Sequence, residues 1–259
     1  MKLSLYQIDA FANKPFEGNP AAICPLDGWL SDNLMQSIAA ENNLSETAFF
    51  VKTNKGYSIR WFTPVHEVDL CGHATLASAY VIFNILKHGE NEILFESKSG
   101  LLEVKKNKDW LEMNFPSQPA IKCSVPKPLL EAFDEEPIEC LQSEDYILVF
   151  KNEESILNAN PKMSLLSELD LRGVAITSIS ENYDFISRFF APKYGINEDP
   201  VTGSSFTQLI PYWSKKLNKK ALNAKQVSKR GGEVRCTYLN ERVQISGRAV
   251  KFMEATIEI

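Results

Sequence analysis

The sequence lacks several features that would point to particular classes of protein. Its net charge is −5 and its basic residues form no stripe, so nothing would neutralise phosphates and we expect no nucleic acid partner. No apolar run approaches the ~20 residues that span a bilayer, so we expect no membrane partner. The three histidines have no acidic partners at helical spacing, so we also expect no metal site.

Cysteine is present but unpaired in the sequence. The five cysteines are scattered, without a CxxC pair, at positions 24, 71, 123, 140 and 236. The odd number favours free thiols in a reducing compartment, and the start of the chain alternates like a strand instead of resembling a leader. We therefore expect a cytoplasmic protein.

Composition and patterning predict a globular fold with an internal repeat. Apolar residues make up 44% of the 259 residues, which is enough for a sizeable core. The sequence motif Arg-aromatic-Phe-x-Pro starts at Arg60 and recurs at Arg188. Each copy leads through a polar turn into an apolar helix, predicted at 76–86 and 204–217, and short strands flank both helices.

The sequence therefore predicts an α+β fold made of two pseudo-symmetric halves. We place the halves at 1–115 and 116–259, because prolines punctuate the chain near Pro116. Glu46 and the first polar turn fall in the first half, and the second polar turn falls in the second. The final apolar alternation predicts a strand that could pair with either half, the first included.

The two polar turns are candidate anion sites. They read Cys71-Gly72-His73-Ala74-Thr75 and Val201-Thr202-Gly203-Ser204-Ser205. Free N–H groups at a helix start attract anions, and glycine lets a carboxylate approach the backbone. One such turn is usually an ordinary helix cap. Two at matching places favour substrate binding through Gly72 and Gly203, with the small polar residues Thr75 and Ser205 beside them.

Three residues are candidates for proton transfer. Glu46 opens an apolar segment, where loss of solvation disfavours its charged form and suits acid–base work, although most glutamates are simply solvated. His73 would donate a hydrogen bond or relay a proton. Asp199, which precedes a proline, either caps its turn or shares proton transfer with Glu46.

Cys71 raises a different mechanism. A helix start lowers the pKa of a thiol, so Cys71 could act as a thiolate base. A two-base cysteine racemase would need a second cysteine in the other turn, which contains Pro200, Val201 and Thr202 instead. We therefore interpret Cys71 as a small packing residue.

Taken together, these segments resemble the PhzF-like family of phenazine-biosynthesis isomerases, which shares the diaminopimelate epimerase fold. The matching segments span nearly the whole chain in order: Asp9-Ala10-Phe11, Gly18-Asn19-Pro20-Ala21-Ala22, Glu46-Thr47-Ala48-Phe49, Arg60 to Pro64, Cys71 to Thr75 and Glu198 to Ser204. The resemblance implies that each half is a mixed β-sheet or open barrel wrapped around a central helix. It also implies an active site between the halves, no cofactor, and a homodimer.

The resemblance further implies roles for individual residues. It makes Glu46 the catalytic group and places His73, Asp199 and Ser204 in support. It assigns the substrate carboxylate to the amides of Gly72 and Gly203, and it puts Asn19 in the cleft.

We therefore predict a cofactor-independent isomerase that acts by Glu46 proton transfer on a small carboxylate-bearing metabolite bound between the two halves. Two alternatives stay open. The first is an epimerase or racemase of a small amino or hydroxy acid, which the fold relationship and Cys71 motivate. The second is a non-catalytic module that binds a metabolite or a protein, because binding alone needs the same glycine turns.

Overall fold

The computed structural model describes residues 1–259, and the chain divides into two compact units. Unit 1 comprises Met1–Asn114 and Ser246–Ile259, and unit 2 comprises Phe115–Ile245. Strands dominate both units and the class is mixed α+β, as predicted. None of the helices combines the length and apolarity needed to cross a bilayer.

Unit 1 is built mainly from the first part of the chain. Its strands and helices, together with the strand that leads out of it, are β1 (Lys2–Ala10), β2 (Asn19–Leu26), α1 (Asp32–Asn42), β3 (Glu46–Thr53), β4 (Gly56–Phe62), β5 (Glu67–Val68), α2 (Gly72–Tyr80), β6 (Glu92–Ser97), β7 (Gly100–Asn107) and β8 (Trp110–Pro116). A π-helical turn, Val81–Ile85, extends α2.

Unit 2 follows, and the chain then returns to unit 1. The elements are β9 (Ile121–Lys122), α3 (Lys127–Ala132), β10 (Glu139–Gln142), β11 (Tyr146–Val149), α4 (Glu153–Leu157), α5 (Met163–Leu166), β12 (Val174–Ile179), β13 (Phe185–Ala191), β14 (Ile196–Asp199), α6 (Phe206–Leu217), β15 (Ala221–Gln226), β16 (Gly232–Tyr238), β17 (Arg242–Gly247) and β18 (Ala249–Glu258). The last strand, β18, pairs antiparallel with β1.

The strand pairings of the two units follow the same order. In unit 1, β1–β2 is antiparallel, β2–β3 parallel, β3–β4 antiparallel, β4–β6 parallel and β6–β7 antiparallel. In unit 2, β10–β11 is antiparallel, β11–β12 parallel, β12–β13 antiparallel, β13–β15 parallel and β15–β16 antiparallel. The repeat seen in the sequence is therefore also a repeat of topology.

Each unit contains one buried helix, and each differs in detail from the predicted span. Helix α2 begins four residues before 76, at Gly72, and is buried from His73 to Ala79, where small side chains allow strands to pack closely. Its last part, Val81–Ile85, is a π-helical turn. In unit 2 the predicted helix 204–217 divides into a 3₁₀ turn, Gly203–Ser205, and α6.

Helix α6 tolerates a proline because the freed carbonyl finds another donor. Pro211 lies inside the helix and has no N–H to give to the carbonyl of Thr207, four residues earlier. The N–H of Gln118 donates to that carbonyl instead, at 3.0 Å. The apolar face of the helix still buries Phe206, Leu209, Ile210 and Trp213.

Candidate active site

Glu46 and His73 are brought into contact inside unit 1. Glu46 is the first residue of β3, and His73 is the second residue of α2. Oε2 of Glu46 lies 3.1 Å from Nε2 of His73, and the two side chains are 14% and 8% exposed. The separation is that of an ion pair, but its angles do not satisfy a hydrogen bond, and neither atom has another hydrogen-bonding partner. Both atoms are buried, and each is the polar group that faces the other.

The other ring nitrogen of His73 faces Cys71. The sulfur of Cys71 lies 3.5 Å from Nδ1, and both residues are buried. Cys71 is the N-cap residue of α2 and has an extended backbone. The structure thus forms a chain of thiol, imidazole and carboxylate. The sulfur, one ring nitrogen and one carboxylate oxygen lie within 4.8 Å of one another.

This arrangement suits a chain of polar contacts on the two sides of the imidazole better than a shared metal ion. A metal binds to the lone pair of one imidazole nitrogen. Here the thiol contacts Nδ1 and the carboxylate contacts Nε2, so the His73 ring would have to turn before one ion could be held by all three groups.

The local charges favour a neutral Cys71 and a protonated His73. Burial raises the pKa of the Cys71 thiol, and the Glu46 carboxylate adds to the rise. For His73, burial acts to lower the pKa, while Cys71 and Glu46 act to raise it, and the net pKa lies well above the ordinary 6.5. Because a protonated thiol carries no charge, we attribute the rise to the Glu46 carboxylate.

The remaining predicted residues of unit 1 lie at the starts of β2 and α2. Gly72 is the first residue of α2 and is half-buried. The Thr75 hydroxyl donates to the carbonyl of Cys71 at 2.6 Å and is buried, so it is used inside its own turn. Asn19 is the first residue of β2 and is fully buried, directly after Gly18, which adopts a positive φ of 65°.

The second polar turn is held together by its own side chains. The Thr202 hydroxyl donates to Oδ2 of Asp199 at 2.5 Å. The Ser205 hydroxyl is buried and donates to the carbonyl of Thr202 at 2.9 Å, so Ser205 closes the turn much as Thr75 does in unit 1. Gly203 is buried, and Ser204 is half-buried.

Gln226 is a residue that the sequence analysis missed. It is the last residue of β15 and is fully buried. Its side-chain oxygen accepts from the N–H of Thr202 at 2.9 Å, and its side-chain nitrogen donates to the carbonyl of Asp199 at 2.7 Å. Ser228 adds a hydrogen bond to the carbonyl of Pro200 at 2.7 Å. A glutamine that ends a short alternating segment carries no motif, so no signal in the sequence points to it.

The overall architecture matches that of epimerases and racemases. A hydroxyproline epimerase from Agrobacterium vitis superposes with a TM-score of 0.61 over 99% of this chain and 91% of its own, at 9% identity. So low an identity shows a shared fold alone. The fold class predicted from the sequence is thus confirmed.

The family is defined by closer relatives. The pattern of the phenazine biosynthesis-like (PhzC-PhzF) proteins matches residues 8–255, and the chain belongs to this family. A Pseudomonas aeruginosa relative named an uncharacterized isomerase is 48% identical over 259 residues, covering 100% of both chains. A PhzF-family crystal structure from Enterococcus faecalis is 44% identical, covers 100% of both chains and has a TM-score of 0.98. The predicted family is confirmed, and the chain stands among proteins named isomerases.

Proposed function

We propose that the protein is a cofactor-independent isomerase. Glu46 moves a proton from one carbon to another within a small carboxylate-bearing metabolite. The observation that carries the proposal is the Glu46–His73 contact. A largely buried carboxylate lies 3.1 Å from an imidazole nitrogen, and neither atom is used in a hydrogen bond elsewhere in the chain. Relatives that match the full chain and are named isomerases support the same class.

The chemistry follows from the two groups. Glu46 would take a proton from a carbon next to a carbonyl or an unsaturated bond and return it to another carbon of the same molecule. The raised pKa of His73 keeps the imidazole protonated near neutral pH, so that its positive charge would stabilise negative charge that develops on the substrate. No other co-reactant is needed, because the substrate gains as many protons as it loses. A proton held on Glu46 can exchange with solvent before it returns to carbon.

The start of α2 supplies the site for the substrate carboxylate. Backbone N–H groups in the first turn of the nine-residue helix have no partner within the helix and lie at the positive end of its dipole. Gly72 has no side chain to keep an anion away from them. We assign the carboxylate to this turn.

The proposal includes supporting roles for Asp199 and Ser204 of unit 2 in the same reaction. The internal repeat supports these roles. Gly203 starts a helical turn before α6 as Gly72 starts α2, and the two units share one strand order. Asp199→Asn and Ser204→Ala are expected to slow turnover without changing the fold. Wild-type kinetics in both variants would remove unit 2 from the proposal.

A screen in heavy water tests the activity and separates it from simple binding. Small carboxylic acids with an acidic C–H are incubated with the protein in D2O, and deuterium in the recovered acid is followed by NMR. An isomerase gives deuterium at the carbon that loses or gains the proton, together with a rearranged product. Acids that bind without exchange would favour the metabolite-binding module.

One observation favours the second enzyme class. Cys71 contacts His73, and a thiol in such a position could serve a racemase. A two-base racemase needs a second base on the opposite face of the substrate. In unit 2, the N-cap position that corresponds to Cys71 is occupied by Thr202, so this position supplies no second cysteine. Deuterium at a single stereocentre, with loss of that exchange in Cys71→Ala, would support the racemase instead.

The proposal also covers location and assembly. All five cysteines are free thiols, which suits a reducing cytoplasm. The homodimer is proposed from the family resemblance alone. Cell fractionation tests the location, and light scattering of the purified chain tests the dimer; a monomer across the working concentration range would contradict it.

A further inference from the structure

The imidazole of His73 is held between two different partners. Its Nε2 lies 3.1 Å from Oε2 of Glu46, and its Nδ1 lies 3.5 Å from the sulfur of Cys71. All three residues belong to unit 1, and Cys71 and His73 are buried. The titratable groups that face the ring are therefore Cys71, at the start of its own helix, and Glu46, from β3.

We infer that Cys71 is a positioning residue: its sulfur pairs with Nδ1 of His73 in both protonation states of the ring, so that Nε2 always presents its proton to Glu46. This inference rests on the proposed function, because it matters to the reaction only if Glu46 transfers the proton. It gives Cys71 a role beyond packing, and one that involves no thiolate.

The chemistry of a thiol suits this role. Sulfur is a weak acceptor and S–H is a weak donor. When the ring is charged, Nδ1–H donates to the sulfur. When the ring is neutral, S–H donates to the bare Nδ1, and the remaining ring proton stays on Nε2. The buried thiol remains protonated throughout, since burial and Glu46 both raise its pKa.

Loss of the sulfur would remove the constraint on the tautomer. A neutral His73 without a donor at Nδ1 could carry its proton there and present a bare Nε2 to the Glu46 carboxylate. Two sets of lone pairs would then face each other across 3.1 Å, which is repulsive. In that fraction of the molecules, the Glu46 carboxylate would lose the N–H group that faces it, and its repulsion with the bare nitrogen would raise the energy of the site.

Serine at position 71 distinguishes positioning from base catalysis. A serine hydroxyl donates and accepts hydrogen bonds as a thiol does, but it does not ionise near neutral pH. Cys71→Ser therefore preserves the positioning role and abolishes any thiolate role. Cys71→Ala abolishes both.

The test uses the full-length chain labelled with ¹⁵N-histidine. There are only three histidines, so His66→Gln and His88→Gln variants assign the spectrum. At a pH above the transition of His73, we expect wild type and Cys71→Ser to show a protonated Nε2 and a bare Nδ1. Cys71→Ala should show both tautomers. Cys24→Ala, which removes another buried thiol of unit 1, should match wild type.

Activity provides the second measurement. At a pH above the transition of His73, where the neutral ring has two tautomers, we expect kcat of Cys71→Ala to fall about fivefold, the size of one net hydrogen bond, with KM unchanged and with recovery in Cys71→Ser. A wild-type neutral ring protonated on Nδ1, or an alanine variant with the wild-type tautomer, would overturn the inference. So would a serine variant as inactive as Glu46→Gln, which would make the thiol a base.

The two proposals fail separately. The tautomer of His73 is measured without substrate, so it tests the role of Cys71 even if Glu46 proves unnecessary. Full activity in Glu46→Gln, together with the expected tautomers, would contradict the proposed function and leave the positioning role of Cys71 intact.

Discussion

Glu46 of unit 1 and Gly173 of unit 2 occupy equivalent positions in the two units. Phe49 of β3 pairs with Arg60, and Ile176 of β12 pairs with Arg188. These two arginines begin the two copies of the Arg-aromatic-Phe-x-Pro motif. Glu46 precedes Phe49 by three residues, and Gly173 precedes Ile176 by the same number. The repeat therefore offers a carboxylate in one unit and no side chain in the other.

Packing in unit 2 enforces the glycine. A Cβ atom at Gly173 would lie 2.5 Å from the carbonyl oxygen of Phe190 and 2.9 Å from the ring of Phe189. The first contact is with backbone, which cannot move aside cheaply. Unit 2 has no room for a counterpart of Glu46, and this asymmetry favours a reaction with one acid–base group at that position.

A single proton-transferring group predicts retention of substrate hydrogen. If Glu46 removes and returns the proton, some of the original hydrogen should reappear in the product during a single turnover in D2O. The fraction retained is measured by mass spectrometry of product isolated at low conversion. Complete replacement by deuterium at every tested protein concentration would indicate a second base or free exchange at the carboxyl.

Gln226→Leu should weaken both the fold and the reaction. The buried N–H of Thr202 and carbonyl of Asp199 would lose their partner, at a cost of about 1–3 kcal/mol in the free energy of unfolding. A displaced Asp199 should also lower kcat by about 10- to 100-fold. Urea unfolding and steady-state kinetics measure the two effects.

The matched control for that variant is Thr177→Val. Thr177 is a buried residue of β12 whose hydroxyl donates to the carbonyl of Ile186 and accepts from the indole of Trp213. Its loss should cost a similar amount of stability and leave kcat unchanged. Equal kinetics in both variants would show that Gln226 has only a structural role.

Gly18→Ala should destabilise unit 1 at the strand start that holds Asn19. Gly18 has φ of 65°, and an added Cβ would lie 2.0 Å from the carbonyl oxygen of Ala10. The left-handed conformation alone costs about 1–2 kcal/mol for a residue with a side chain. Thermal melts should show at least that loss, whereas Gly28→Ala, with open space around the added methyl, should change stability by less than about 0.5 kcal/mol.

Glu67 predicts a pH-dependent part of the stability. Arg60 donates two hydrogen bonds to its carboxylate, at 2.7 and 2.9 Å. These bonds lower the pKa of Glu67 from 4.5 to about 2, with burial opposing and Lys98 assisting. Because the pKa is lowered in the folded state, the ionised pair stabilises the protein above pH 4.5, and this contribution is lost as the pH falls towards 2.

Melting curves of wild type and Glu67→Gln check that window. The difference in Tm should be largest above pH 5 and should shrink as the pH falls through the window. Glu41→Gln, at an exposed position of α1, should track the wild type throughout. A Glu67→Gln difference that stays constant with pH would contradict the assignment of the shift to the arginine pair.

The sequence predicted the features that repeat or carry a motif. The two Arg-aromatic-Phe-x-Pro motifs, the glycine turns and the apolar helices all have strong local patterns. The family and the fold class were predicted from them. The pattern could not give the start of α6, because Gly203–Ser205 forms a 3₁₀ turn that shares its small polar residues with an ordinary helix cap.

Contacts between distant segments were harder to read. The angle between the carboxylate of Glu46 and the ring of His73 depends on how α2 packs against β3, which no residue pattern specifies. Hydroxyl groups were also ambiguous. Thr75 and Ser205 look like ligands for an anion, yet both hydroxyls donate to carbonyls of their own turns, at 2.6 and 2.9 Å. A small polar residue at a helix start serves either purpose equally well.

The most direct test of the account is the rate at which Glu46→Gln incorporates solvent deuterium into a substrate that wild type exchanges. Glutamine keeps the size of the side chain but cannot take up the proton, so we expect the rate to fall by at least about 10²–10⁴-fold. Thermal stability and ligand affinity should stay close to wild type, and Glu41→Gln should exchange normally. A folded Glu46→Gln protein that exchanges at the wild-type rate would contradict the central claim.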